Sequence, residues 1–192
     1  MHTRTSHRRT RGGFSLLEII IAMSIIAILV GVVGFRSGSA IQRGHASRLT
    51  QFIKGMEKAC AAHYADTGRH AREYEISFAA SNRMLSTEQP TNGWQGPYIE
   101  RPFANNDTNP FGVARIYNAF NANSWITGFD MDGDGTADQT GTGSMLYLTN
   151  VPEEVVEKLD ASFDGGIPGD WKATGRVIWQ DTSNRVLVYL YN

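Results

Sequence analysis

The stretch RGGFSLLEIII, Arg11 to Ile21, places a carboxylate, Glu18, near the start of an apolar run whose next charge is Arg36. From Phe14 to Phe35 the chain has 22 residues, and only Ser15, Glu18 and Ser24 are polar apart from glycines. Such a run predicts a helix roughly 33 Å long at about 1.5 Å per residue, enough to cross a bilayer core. A carboxylate inside such a span costs about 2.5–3.5 kcal/mol on insertion scales, so Glu18 calls for a partner.

The flank fixes a direction. Arg4, Arg8, Arg9 and Arg11 precede the run and no acid stands among them. Taking those four from the 18 basic residues leaves 14 against 19 acidic ones, so the net charge of -1 hides a basic front and an acidic remainder. The front keeps the amino end cytoplasmic and sends the rest outward. The acidic remainder argues against a nucleic-acid partner. Three fates are open to the run. It could be a buried core helix, a cleaved secretory signal with Gly38-Ser39-Ala40 as the cut, or a retained membrane helix. The length and basic flank disfavour the first, and Glu18 and Arg36 disfavour the second.

Gly12-Gly13 directly before Phe14 favours the third. GGFSLLEIIIAMSIIAILVGVV resembles the amino-terminal signature of type IV pilins and of their secretion-system relatives, the pseudopilins. The resemblance implies that a prepilin peptidase cuts after Gly13, that the new amino group of Phe14 is methylated, and that the apolar helix is kept. It also implies a role for Glu18, whose counterpart is thought to meet the Phe14 ammonium of an adjoining subunit and to set axial stagger during assembly. The implied protein is a filament subunit, not an enzyme. It is inserted once in the inner membrane with its head periplasmic, then extracted into a homo-oligomeric filament. Related minor subunits and an inner-membrane assembly platform are the implied partners. One departure is the absence of proline before Pro90; Gly31, Gly34 and Gly38 occupy the exit of the run, where each weakens a helix by roughly 1 kcal/mol relative to alanine.

Beyond the run, Ile41, Leu49, Phe52, Ile53, Met56, Cys60 and Tyr64 recur at helical spacing, with Arg43, Arg48, Lys54, Glu57 and Lys58 mostly off that stripe. The expected organisation is a leader at 1–13, a transmembrane or filament-core helix at 14–35, its amphipathic continuation at 36–64, and a globular head at 65–192. ADTGRHAREYE is expected to end the helix, with Gly68 as its cap. Residues 76–90 give no clear signal. Short strands are expected at 113–117 and 144–149, a short helix within 151–166 with Val155, Val156 and Leu159 inward, and a hairpin of 176–180 with 185–191. The fold class is α+β and pilin-like: a long helix packed on a small antiparallel sheet.

Two loop motifs stand in the head. Trp94, Gly96, Pro97 and Tyr98, then Pro110, Phe111 and Gly112, read as turns pinned by aromatics. They also resemble the Trp-x-Gly-Pro-Tyr and Pro-Phe-Gly elements of the major pseudopilin of type II secretion, with a longer gap between them. FDMDGDGTADQTG, Phe129 to Gly141, sets Asp130, Asp132, Asp134 and Asp138 at positions one, three, five and nine of a calcium loop. Gly135 falls at six and the carbonyl of Thr136 at seven. Position twelve, normally a glutamate, is Gly141, so the signature is that of a loop without a full helix-loop-helix hand. The single cysteine, Cys60, forbids an intrachain disulfide. Type IV pilins commonly staple this region with a cysteine pair, and major pseudopilins with calcium; the resemblance therefore points to calcium. No hydrolase, zinc-protease, phosphate-loop or dinucleotide pattern is present. His63 and His70 are expected at the surface, and Asn106-Asp107-Thr108 matches a glycosylation acceptor.

Gly13→Ala tests the processing step. Mass spectrometry of the membrane fraction should show wild-type chain beginning at methylated Phe14 and the variant retaining its leader; a mature amino terminus elsewhere contradicts it.

Overall fold

The computed structural model describes residues 14–74, 80–103, 109, 111–120 and 126–191, without the side chains of 32–40, 80 and 181. Gly13, Pro110, the leader and the 106–108 acceptor lie outside the described residues. Helix α1 runs Leu16–Thr67, and two compact units divide the chain at Ile41 and Gln42.

In the first unit the helix is apolar on every side and bare. Phe14 is 80% exposed, and Leu16, Leu17, Ile19, Ile20, Ile21, Met23, Ile25, Ile26, Ile28, Leu29 and Val30 are all exposed as well. A water-soluble monomer does not leave so long an apolar surface uncovered. Among the described residues no helix is long and apolar enough to cross a membrane. The described side chains of the run end at Gly31.

The second unit builds the head. The helical stripe now has a partner: Leu49, Ile53 and Cys60 are fully buried, and Phe52 and Met56 pack at the margin. Ile41 departs from the expected stripe, at 60% exposure, and the small Ala46 and Ala59 join the buried face. The helix stops at Gly68, whose φ of 66° suits a residue without Cβ and whose N–H donates to the carbonyl of Tyr64 at 2.7 Å.

Strands β1 (Ala114–Ala119), β4 (Thr142–Thr149), β5 (Val177–Gln180) and β6 (Arg185–Tyr191) form an antiparallel sheet in the order β1-β4-β6-β5. A two-residue ladder pairs β2 (Gly128–Phe129) with β3 (Gln139–Thr140). Side chains alternate along each strand. Ile116, Leu146, Leu148, Val186 and Val188 face α1 and helix α2 (Glu153–Phe163), which buries Val155, Val156 and Leu159 as expected. Tyr117, Met145, Tyr147 and Leu187 face the other way and are covered by Phe120 and Phe129. Both faces are therefore dry, and β4 is buried along almost its whole length. The strands run 114–119 and 142–149 where the sequence suggested 113–117 and 144–149, because the ladder continues through a bulge past Tyr117.

Charged groups are also buried. Asp160, on α2, is 9% exposed; burial, then the neighbouring Asp164 carboxylate, pushes it from 3.8 up to about 6. Because the folded value is the higher one, the folded state keeps its proton to higher pH than the unfolded chain. The stability from this group is complete below about pH 4 and is lost as pH rises through about 6. Asp160→Asn should therefore flatten the decline in thermal stability between pH 4 and 6 and leave the head more stable than wild type at neutral pH; parallel curves for the two proteins would contradict this.

Candidate functional site

Two regions carry chemistry, one in each unit. The first is the start of α1. Ser15 stands just before the helix and its hydroxyl accepts the Glu18 N–H at 3.2 Å. This is half of a capping box, Ser-x-x-Glu, and Glu18 also sits well at the positive end of the helix. The sequence signal was present in Ser15-Leu16-Leu17-Glu18, so Glu18 has a local helical reason beside any assembly role. Its carboxylate has no cationic partner among the described residues. It lines a shallow groove of about 350 Å³ with Phe14, Ile19, Ala22, Met23 and Ile26, almost all apolar. Phe14, the residue that would carry the new amine, borders the same groove.

The second region is the acidic loop between β2 and β3. Phe129 roots it, fully buried, with ring centroids 5.3 Å from Phe120 and 5.8 Å from Tyr189. Asp138 closes the ladder by donating its N–H to the Phe129 carbonyl at 2.9 Å. Inside, the carboxylates order the backbone. Asp130 accepts from the N–H of Gly133 at 2.7 Å and of Gly135 at 2.9 Å. Asp138 accepts from Met131 N–H at 2.7 Å, Asp132 from Asp134 N–H at 3.2 Å, and Asp134 from Thr136 N–H at 2.7 Å. Partial desolvation raises the Asp130 carboxyl, but the N–H groups of Gly135, Gly133, Asp134 and Asp132 together hold it below its ordinary value.

Glycines permit this path. Gly135 has φ 90°, in the left-handed region, with open space beside it. Gly133 has φ 79°, and a Cβ there would collide with the Pro168 carbonyl, so the loop lies directly on the 164–176 segment. The Gly175 N–H donates to the Asp130 carbonyl at 2.7 Å and ties the same two segments. Asp130, Asp132 and Asp138 each offer a carboxylate oxygen within 4.8 Å of the others. Asp134 is outside that group of three. An all-oxygen, acidic donor set of this kind suits a hard divalent cation.

The aromatic turns hold the helix end instead of forming a site. The Trp94 indole donates to the Met84 carbonyl at 2.9 Å. Tyr98 donates its hydroxyl to Asp66 at 2.7 Å and accepts from Gln95 N–H at 3.0 Å, so the turn is tied to the last turns of α1. Gly96 precedes a cis Pro97, and a Cβ on it would enter the Trp94 ring. Phe111 and Gly112 give their N–H groups to the Asn109 side chain at 2.7 and 3.0 Å. Gly112 lies so close to Thr149 that a side chain would collide with it.

Three acceptors escaped the sequence reading. Glu73 is fully buried, bridges to Ile116, and accepts from Leu85 N–H, Ser86 N–H and the Ser86 hydroxyl at 3.0, 3.3 and 2.6 Å. Burial raises its carboxyl and these bonds oppose the rise. Asp164 accepts from Arg176 and Val177 N–H, both at 2.8 Å, and Asn109 ties the turn above. The Asn-Pro-Phe-Gly and Asp-Gly-Gly patterns hint at two of them; nothing local announces Glu73, whose partners lie 12 and 13 residues away. His63 departs from expectation: it is fully buried, its ring edge-on to Tyr98 at 5.4 Å, and burial lowers its basicity. Cys60 is inert, since burial pushes its thiol up to about 12.

Residues 8–34 match the family model of the prokaryotic N-terminal methylation motif. The match covers the basic flank, the Gly13-Phe14 junction, Glu18 and most of the apolar run, and it supports the resemblance to type IV pilins and pseudopilins. No curated protein and no solved structure matches the chain.

Proposed function

We propose that this chain is a structural subunit of a type IV pilus-like filament, and more closely a pseudopilin of a type II protein secretion system, assembling into a periplasmic pseudopilus. The observation that carries the reading is the methylation motif at the head of an apolar helix whose side chains are exposed among the described residues. A precursor of this kind rests in the inner membrane, spanning it once with its amino end cytoplasmic. A prepilin peptidase frees Phe14, and an assembly platform moves the helix from lipid into a bundle of identical helices. Minor subunits of the same kind complete the fibre.

Glu18 gives that transfer its register. In lipid or in a helix bundle an uncompensated carboxylate is costly. Cleavage creates an ammonium on Phe14, beside the groove that Glu18 lines. A neighbour's ammonium reaches Glu18 only at one axial offset, so the pair selects the stagger of successive subunits.

The acidic loop supports the secretion-system reading over a pilin for adhesion, motility or DNA uptake. The head has one cysteine, buried, and no disulfide to hold its loops. Calcium held by Asp130, Asp132 and Asp138, with Asp134 and the Thr136 carbonyl adjoining, would offset half the charge of four carboxylates crowded on one turn and steady the loop on the 164–176 segment.

Two experiments test this. Glu18→Ala should abolish sheared filaments while leaving the chain in the membrane at wild-type level; a variant that assembles as wild type contradicts the filament reading and leaves a membrane-anchored domain that does not polymerise. Separately, the full chain in detergent should melt about 4 °C or more higher with calcium chloride than with chelator, from mass action on the folded state, and Asp138→Asn should erase the difference. Identical melts for wild type would remove calcium from the account without touching Glu18.

A further inference from the structure

Two adjoining hollows run along the head where the second half of α1 meets α2. One, of about 690 Å³, is lined by Lys54, Glu57, Lys58, Phe163, Arg176 and Tyr191 among others. The next, of about 390 Å³, shares Lys54 and Ser162 with it and adds Arg43 and Lys158. Together they form a groove with five cations and one carboxylate. Arg176 meets Glu57 at 3.3 Å, and Lys158 donates to two neutral oxygens, of Gln42 and Glu154. Lys54 and Lys58 are exposed and have no anionic partner among the described residues.

The acidic loop has the converse deficit. Asp132, Asp134 and Asp138 are exposed, and among the described residues no lysine or arginine pairs with them or with Asp130. The loop is tied at its base to Gly175, beside the Arg176 that borders the groove, while its core contacts lie on the opposite face of the sheet. The groove belongs to the side of α1 and α2, whereas Phe129 and Met131 pack on the side of Tyr117, Met145 and Leu187. The loop is a narrow turn with exposed aspartates; the groove mixes cations with Ala61, Phe163 and Tyr191 in its lining.

We propose that the groove receives the acidic loop 130–138 of a second copy of the chain. Complementary charge steers and orients such contacts. Two different patches that fit each other make a heterologous contact, and when its rotation does not close, the product is an open helix of subunits. With a divalent cation in the loop, four carboxylates still leave two net negative charges for the groove. The inference rests on the reading of the chain as a filament subunit, and names the contact made between successive heads.

The test uses the full chain expressed with a prepilin peptidase, with filaments sheared and weighed. Lys54→Glu and Asp134→Lys, both exposed positions, should each lower the yield about fivefold or more, and the chain carrying both should recover most of it. In assembled fibres Lys54→Cys with Asp134→Cys should give a ladder of disulfide-linked multimers on mild oxidation, with Cys60 too buried to interfere. Wild-type yield from Lys54→Glu, no recovery in the double variant together with no ladder, or normal assembly with loss of binding to anionic phospholipid vesicles would each overturn the contact while the filament stands. No filament from wild type under conditions where Phe14 is freed would overturn the filament reading itself, and this contact with it.

Discussion

The structure depends on one constraint: among the described residues of its own unit, nothing covers the apolar start of α1. Phe14 to Val30 shows apolar side chains on every face, so something outside the subunit must take them from water. Lipid and a bundle of like helices both satisfy that demand at similar cost, since hydrocarbon tails are as apolar as leucine. On the proposed filament reading Glu18 breaks the equivalence: lipid would give it no partner, whereas a bundle of processed subunits would give it an ammonium at a fixed height.

The head solves a different problem with a related device. It has long irregular segments and no disulfide, so its loops are held by acceptor side chains that each collect several N–H groups. Glu73, Asn109, Asp130 and Asp164 each take at least two. Such bonds are individually modest, roughly 0.5–1.5 kcal/mol net, and somewhat stronger to a charged acceptor. Burying carboxyls has a cost, seen in Glu73, Asp160 and Asp164, which burial pushes up. The head is thus sensitive to pH in a direction that favours mild acid for these groups. Meanwhile the same α1 that is bare at its start supplies, from Leu49 to Cys60, the main apolar spine of the head's core.

The sequence made the periodic parts legible. Leu49, Ile53 and Cys60 lie where their spacing placed them, α2 turns Val155, Val156 and Leu159 inward, and the final hairpin pairs as its β-branched run implied. The N-terminal methylation motif was readable because its pattern lies in adjacent residues, from the basic flank through Gly13-Phe14 and Glu18 into the apolar run. What periodicity could not reveal were long-range satisfactions. Nothing near Glu73 indicates that Ser86 will meet it, and nothing near His63 indicates that Tyr98 will cover it. The acidic loop was half legible: its aspartate spacing announced a turn ordered by carboxylates, but the dependence of Gly133 on Pro168 joins segments far apart in sequence.

Once Phe14 is free, the proposed subunit stands or falls on where the Glu18 carboxylate goes. The most direct measurement is a density map of the assembled filament that resolves the start of α1. A filament subunit of this kind should show the carboxylate of Glu18 within about 4 Å of the Phe14 ammonium of an adjoining subunit, the separation of an ion pair, repeated at every subunit along the fibre. A map in which Glu18 faces solvent or its own backbone only, with the neighbouring Phe14 elsewhere, would contradict it.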